Sequence, residues 1–415
     1  MPFYIGRLLT TKKHITFIGL NFYPESTAIG LYSTQLVDFL EEQGYEISVI
    51  TAFPYYPQWK IADDYQDKPR FFKEQKGNTT LYRYKQYTPK NPTFLKRVFH
   101  IIDFTIGSYF NLRNIKQSDL VIAIVPFTSA AFLGGWVKRR LQAKLWVHIQ
   151  DFEFDAAFQS GLMQSEKKAG NFLYKLLMRL ERYTLNKADT VSTISHYMMD
   201  MLARKTKQPT YFLPNWVDEN DINPETAKQH PYLTSDKFKI LYSGNIGDKQ
   251  DWQFFKQLIA HIDFTIFEIK IVGDGAKRAD IATHIEAYSG ISLSPPVPYS
   301  ALSDLLCSAD VHILFQKPEI QDTVMPSKIL GMMASNKPSI VTGNPESEVR
   351  HIMQESGGGF YNPTAQVEQV IDQLEQLVAN KKKSAQMGNN ARQYVLKHFS
   401  RKQILHNFIT ALDQL

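Results

Sequence analysis

Apolar residues come in short blocks separated by polar turns, and the blocks alternate between two periods. Residues 14–20 (HITFIGL), 45–51 (YEISVIT), 120–125 (LVIAIV) and 144–149 (KLWVHI) are almost continuously apolar, the pattern of strands buried on both faces. Between them, 31–42 and 129–141 place apolar residues at helical spacing, and Gly44 closes the first of these helices. Strand, helix and strand in succession predict a parallel sheet with crossover helices. Residues 188–192 and the helix that follows continue the alternation. Residues 214–224 (PNWVDENDINP) are rich in Pro, Asn and Asp and read as a linker. The pattern then restarts. Strands are predicted at 238–242, 267–272, 311–315 and 338–341, and helices at 252–261, 299–308 and 327–334. The tail, 365–415, reads as helices broken near Lys381–Lys383 and Ser400.

The fold class is therefore α/β, with two Rossmann-like domains facing across a cleft. The first spans 1–215 and the second 216–397, with a C-terminal helix, about 398–415, returning to the first domain. A chain of 415 residues fits two such domains.

Charge divides at the same linker. Residues 1–215 carry a net +10 and residues 216–415 a net −4, giving the chain its +6. Residues 60–116 hold 12 basic against 5 acidic residues, interleaved with aromatic rings. That mixture suits an anionic membrane surface, or simply a solvated face; no nucleic-acid-binding pattern accompanies it. Residues 93–110 (TFLKRVFHIIDFTIGSYF) read as a helix too apolar for an ordinary surface and too short to span a bilayer. It belongs either in the core or in the membrane interface. The single cysteine, Cys307, excludes a disulfide framework and cysteine metal clusters, and fits a reducing compartment. The first residues lack a signal-peptide apolar run, so a cytoplasmic location is expected, peripheral on the inner face of the membrane.

Candidate chemistry gathers where predicted strands end. Gly244, Asn245, Gly247 and Lys249 lie in a loop between a strand and a helix, where backbone N–H groups and an ammonium can meet a phosphate. Gly273 and Gly275 form a second loop at the end of the next strand. Asp322, Pro326, Ser327 and Lys328 open a helix aimed at the same edge, with Pro326 in the first turn and Lys328 adding charge. Each of these also reads as an ordinary turn or a capped core helix. No G-x-G-x-x-G follows a strand, which argues against a dinucleotide cofactor.

In the first half, Asp151, Glu153 and Asp155 alternate with aromatic residues just after a strand, and His148 precedes them. Asp151 is a candidate base or oxocarbenium stabiliser. His148 is either its partner or a satisfied core histidine, and the acids are either a metal-binding D-x-D or a solvated strand end. Glu25 and Gly30, in the first loop, face either an acceptor or their own backbone.

The order and spacing of YPESTAIG, TAFPYYPQW, HIQDFEFDA, LYSGNIGDKQDW, IVGDG and QDTVMPSKILGMMA resemble glycosyltransferase family 4, retaining nucleotide-sugar transferases of the GT-B fold. The subgroup resembled is the colanic acid fucosyltransferase-like enzymes of bacterial exopolysaccharide synthesis. The resemblance covers about residues 14–412. It implies a nucleoside-diphosphate sugar donor, GDP or UDP, held mainly by the second domain at Gly244, Asn245, Gly247, Lys249, Ser327 and Lys328. It implies a glycan acceptor, lipid-linked, on the first domain, and Asp151 beside the transferred sugar. No cofactor and no metal are expected. One departure stands out: where many relatives carry E-x7-E, with the second Glu on the ribose, this chain has Thr323 and Gly331. Two other classes share the motifs, a sugar-nucleotide epimerase of the same fold and a catalytically silent scaffold of a polysaccharide assembly complex.

Overall fold

A computed structural model describes residues 13–26, 28–155, 167–319 and 328–415. The chain forms two compact units. One comprises Met1–Ile194, Met198–Leu213 and Ala411–Leu415; the other comprises Ser195–Tyr197 and Pro214–Thr410. The segment that rejoins the first unit is shorter than the 398–415 expected. The chain around Ser400 is tied to the second unit, because Val217 pairs with Ser400 and the Arg401 amide donates to the Val217 carbonyl at 2.9 Å.

The first unit is built on eight strands. They are β1 (His14–Ile18), β2 (Glu46–Ala52), β3 (Phe71–Lys76), β4 (Thr79–Tyr84), β5 (Leu120–Val125), β6 (Lys144–Ile149), β7 (Thr190–Thr193) and β8 (Thr210–Phe212). Their order is β3-β4-β2-β1-β5-β6-β7-β8, parallel except for the β3–β4 hairpin. All six residues of β5 are buried, as a central strand covered on both faces requires. The hairpin went unread in the sequence because β3 (FFKEQK) is a charged edge strand with no buried residue. Helices α1 (Ala28–Glu42), α2 (Phe94–Leu112) and α3 (Thr128–Leu141) pack on this sheet.

Helix α2 answers the question left open by its composition, because it has two apolar faces. Phe104 and Leu112 are fully buried, whereas Leu95, Phe99, Ile102, Ile106 and Phe110 are 45–67% exposed along one stripe. No described helix is long and apolar enough to cross a membrane.

The second unit holds β9 (Phe238–Ser243), β10 (Phe267–Val272), β11 (Ile291–Ser294), β12 (Val311–Phe315), β13 (Ser339–Thr342) and β14 (Gly359–Asn362). The order is β11-β10-β9-β12-β13-β14, all parallel. Tyr242, Trp252, Phe255 and Phe315 form its aromatic centre, with Phe315 stacked on Tyr242 at 4.9 Å and on Phe255 at 5.2 Å. In the first unit the strand order reverses between β1 and β5, and in the second between β9 and β12. Open parallel sheets bind ligands outside the carboxyl ends of their strands at these reversals.

Candidate functional site

At the reversal in the second unit, the loop after β9 is held by the loop after β10. Gly244 N donates to the Val272 carbonyl, Ile246 N to that of Asp274, and Lys277 N to that of Ile246, all at 2.8–2.9 Å. A Cβ on Gly273 would stand 1.9 Å from the Gly244 carbonyl oxygen, so only glycine lets the two loops close. Gly275 has φ +152 and would meet Asn245 and Ile246. Gly273 and Gly275 therefore shape the first loop from behind. The donors expected to cradle a phosphate are partly spent: Gly244 N and Ile246 N bond to the neighbouring loop, and Gly247 N donates to Gln250 Oε1 at 3.1 Å. The following helix, Trp252–His261, is capped by Asp251, whose carboxylate accepts from Phe254 N at 3.0 Å. That helix start is already occupied by an anion. Asn245 and Lys249 are exposed.

The cation that stands over this loop is Lys328. Its Nζ lies 3.2 Å from the Tyr242 hydroxyl and 4.6 Å from the centre of the Tyr242 ring. A Cβ placed on Gly244 would lie 3.3 Å from that Nζ. The Tyr242 hydroxyl in turn donates to the Asn245 carbonyl at 2.6 Å. Desolvation pushes the Lys328 ammonium down to about 7, and among the described residues no carboxylate pairs with it. A half-buried ammonium beside a glycine loop, with no carboxylate on it among the described residues, makes this a candidate anion site. Sequence reasoning placed Lys328 and Gly244 in one site; it did not show that Lys328, rather than Lys249, touches the loop. Asp322, Pro326, Ser327 and Thr323 lie outside the described residues.

In the first unit, the three acids after β6 do not line up on one extended face. Glu153 begins a helical turn, and its carboxylate accepts from Phe127 N at 2.8 Å and Thr128 N at 2.6 Å, capping α3. Burial raises its pKa. Asp155 and Glu181 share the Lys205 ammonium, and Tyr174 donates to Asp155 at 3.2 Å. Burial pushes Glu181 up to about 7 against the pull of Lys205. Asp151 is half-buried just beyond the carboxyl end of β6. Of the three acids, Glu153 is committed to the start of α3 and Asp155 to Lys205.

His148, a candidate catalytic residue in the sequence, lies inside the sheet. It is buried in β6, with Nδ1 2.9 Å from Ser192 Oγ and Nε2 2.9 Å from the Gln150 amide nitrogen. The amide can only donate to Nε2, which puts the proton on Nδ1. Burial lowers its pKa to about 3, so it stays neutral. Glu25 is likewise engaged: it accepts from Tyr55 N, Tyr56 N and Asn21 Nδ2, each at 2.8 Å, and burial raises its pKa. A Cβ on Gly30 would lie 2.9 Å from the Glu25 carbonyl oxygen, so Gly30 lets α1 start against this loop. Both shape the edge where β1 and β2 end.

Both units are similar to known domains. Residues 27–216 match the Glycosyl transferase 4-like domain, and residues 224–394 match Glycosyl transferases group 1. A relative 30% identical over 410 residues, covering 95% of this chain and 98% of its own, is the WcaI glycosyl transferase assigned to colanic acid biosynthesis in Escherichia coli K12. The chain belongs to this glycosyltransferase family. Its fold is GT-B. Among solved structures, the sucrose-phosphate synthase of Thermosynechococcus elongatus aligns with a TM-score of 0.75 at 14% identity, over 97% of this chain and 99% of that one. HepE of Anabaena, solved in complex with UDP-glucose, aligns with a TM-score of 0.65 at 12% identity, over 97% and 100%.

Proposed function

We propose that this glycosyltransferase acts with retention and without a metal, in bacterial exopolysaccharide assembly. It moves a hexosyl or deoxyhexosyl group from a GDP- or UDP-sugar to a lipid-linked glycan. The observation that carries the donor assignment is Lys328: a desolvated ammonium over the Gly244 loop, held by a tyrosine hydroxyl and awaiting an anion. As the sugar–oxygen bond breaks, negative charge grows on the leaving diphosphate. A fixed ammonium in a poorly solvated site stabilises that charge without reorganising. Asp151 stabilises the positive charge developing on the sugar. Metal independence leans on the engagement of Glu153 and Asp155 in protein bonds. The exopolysaccharide assignment leans on the WcaI relative, and a diphosphate donor is favoured by the UDP-glucose-bound HepE neighbour.

The membrane assignment, to the inner face of the cytoplasmic membrane, is supported by the exposed stripe of α2. Ile106 and Phe110 of that stripe also line a cavity of about 470 Å³ against Arg70, Phe71 and Tyr84. Lys90, Lys96, Arg113 and Lys116 surround it in sequence and are exposed. An apolar stripe flanked by basic residues suits anionic headgroups over acyl chains. The test of the donor reading is calorimetry with UDP and GDP on wild type and Lys328→Met. Binding of at least one nucleotide, weakened by about 1.5–3 kcal/mol in the variant, is expected for a lost charge-assisted bond. A protein that binds neither is a scaffold.

A further inference from the structure

The loop after β2 and the first turns of α2 build an aromatic surface that the donor site does not use. Tyr55 is buried and packs edge-on to Trp59 at 5.3 Å and against His100 at 4.8 Å; Trp59 meets His100 at 5.5 Å. Glu25 pins this loop through the Tyr55 and Tyr56 amides. Trp59 itself sits at φ 52, a conformation that a bulky side chain rarely adopts and that the surrounding packing must enforce. From this rigid base the Tyr56 ring stands out, 40% exposed.

Arg97, on the first turn of α2, lays its guanidinium over the Trp59 ring at 5.2 Å. Its charge reaches the phenol groups of both Tyr55 and Tyr56. Two other arginines of this unit are paired with carboxylates, Arg70 with Asp103 and Arg83 with Glu74. Arg97 is exposed and makes no ion pair among the described residues. A guanidinium pre-oriented by an aromatic face and left without a carboxylate is fitted to bind a phosphate by two parallel hydrogen bonds. An exposed ring beside it offers a flat apolar face to a sugar. The apolar stripe Leu95, Phe99, Ile102 starts on the same turns of the same helix.

We infer that Tyr56, Trp59 and Arg97 form a binding subsite for the glycosyl phosphate end of a lipid-linked acceptor, with the sugar on the rings, the phosphate on Arg97 and the lipid along α2. This rests on the acceptor reading above and adds the residues that would recognise it. The charge of Arg97 selects an anionic ligand over a neutral sugar, and the stripe selects one with an apolar tail.

The test uses the full chain saturated with UDP or GDP, whichever binds, so that the donor site is filled. Three probes are titrated by ligand-observed NMR: glucose, glucose 1-phosphate and the farnesyl phosphodiester of glucose. The diester should bind at least tenfold more tightly than glucose 1-phosphate, and glucose more weakly than either. Arg97→Gln should weaken the diester tenfold or more and Tyr56→Leu threefold or more. Lys76→Gln, which removes a charge already paired with Asp38 and away from the stripe, should change it less than twofold. Nucleotide affinity should be the same in all three variants, which also certifies their fold. Undiminished diester binding in Arg97→Gln and Tyr56→Leu overturns the subsite, and a diester no tighter than glucose 1-phosphate overturns the lipid assignment. If no nucleotide binds to wild type, the donor reading alone fails, and the same titration on the nucleotide-free protein decides the subsite.

Discussion

Donor affinity should fall steeply as pH rises through the Lys328 titration. Desolvation sets the ammonium at about 7 in the free protein, and a bound diphosphate holds it charged. If only the ammonium form binds, the apparent dissociation constant scales as one plus ten to the power of pH minus pKa. The factor is about 1.1 at pH 6 and about 33 at pH 8.5, a loss of roughly 30-fold or about 2 kcal/mol. Binding must then take up about one proton per event at pH 8.5 and almost none at pH 6. Calorimetry with UDP-glucose or GDP-mannose reads both quantities when run in two buffers of different ionisation heat. A nucleotide sugar is the right probe because its diphosphate does not itself titrate in this range. Lys328→Met should bind weakly at both pH values with a flat profile. The stability sign follows as well. A lysine whose folded pKa is depressed is disfavoured by folding while protonated, so its cost is fully present below about 7 and fades as pH rises towards the unfolded value. Ligand-free Lys328→Met should therefore melt higher than wild type at pH 6. Equal wild-type affinity at pH 6 and 8.5, or full affinity in Lys328→Met, would refute the reasoning.

Asp151→Asn should cut turnover by orders of magnitude while leaving donor affinity within a few-fold, because its charge acts when positive charge develops on the sugar; steady-state kinetics beside calorimetry shows whether the loss sits in KM instead. Activity should survive dialysis against EDTA, and loss that is restored by Mn or Mg would return the acids after β6 to a metal role. Gly273→Ala forces a methyl group to within 1.9 Å of the Gly244 carbonyl, so a lowered melting temperature and lost nucleotide binding are expected. Sedimentation with anionic liposomes should be salt-sensitive and drop more than tenfold in Lys90→Glu/Lys96→Glu, since each basic residue near the surface contributes about 1 kcal/mol; a folded, active protein that ignores every liposome would remove the membrane assignment.

The frame of both units was legible because buried parallel strands are continuous apolar runs: 120–125, 144–149, 267–272 and 311–315 were read to the residue. The hairpin β3–β4 was not, since its outer strand, FFKEQK, has two adjacent phenylalanines followed by polar and charged residues and buries nothing. At the site, the glycine loops could be read from spacing, but their division of labour could not. Gly273 serves the close approach of two loops that are 29 residues apart in sequence. The roles of Glu153, Asp155 and His148 depended on partners 25–50 residues away, Phe127, Thr128, Ser192 and Lys205, which no local pattern announces. Arg97 and Lys328 share a signal that only coordinates reveal: each lays its charge over an aromatic ring, and neither has a carboxylate on it among the described residues.

The central claim is transfer of a sugar with retention, and product stereochemistry tests it most directly. The protein is incubated with α-linked nucleotide sugars and a membrane extract as acceptor source, and the new glycosidic linkage in the lipid fraction is read by its anomeric proton coupling. The account predicts acceptor-dependent release of UDP or GDP and an α-linked product from an α-linked donor. A β-linked product, or a nucleotide sugar that is neither bound nor consumed, would contradict it.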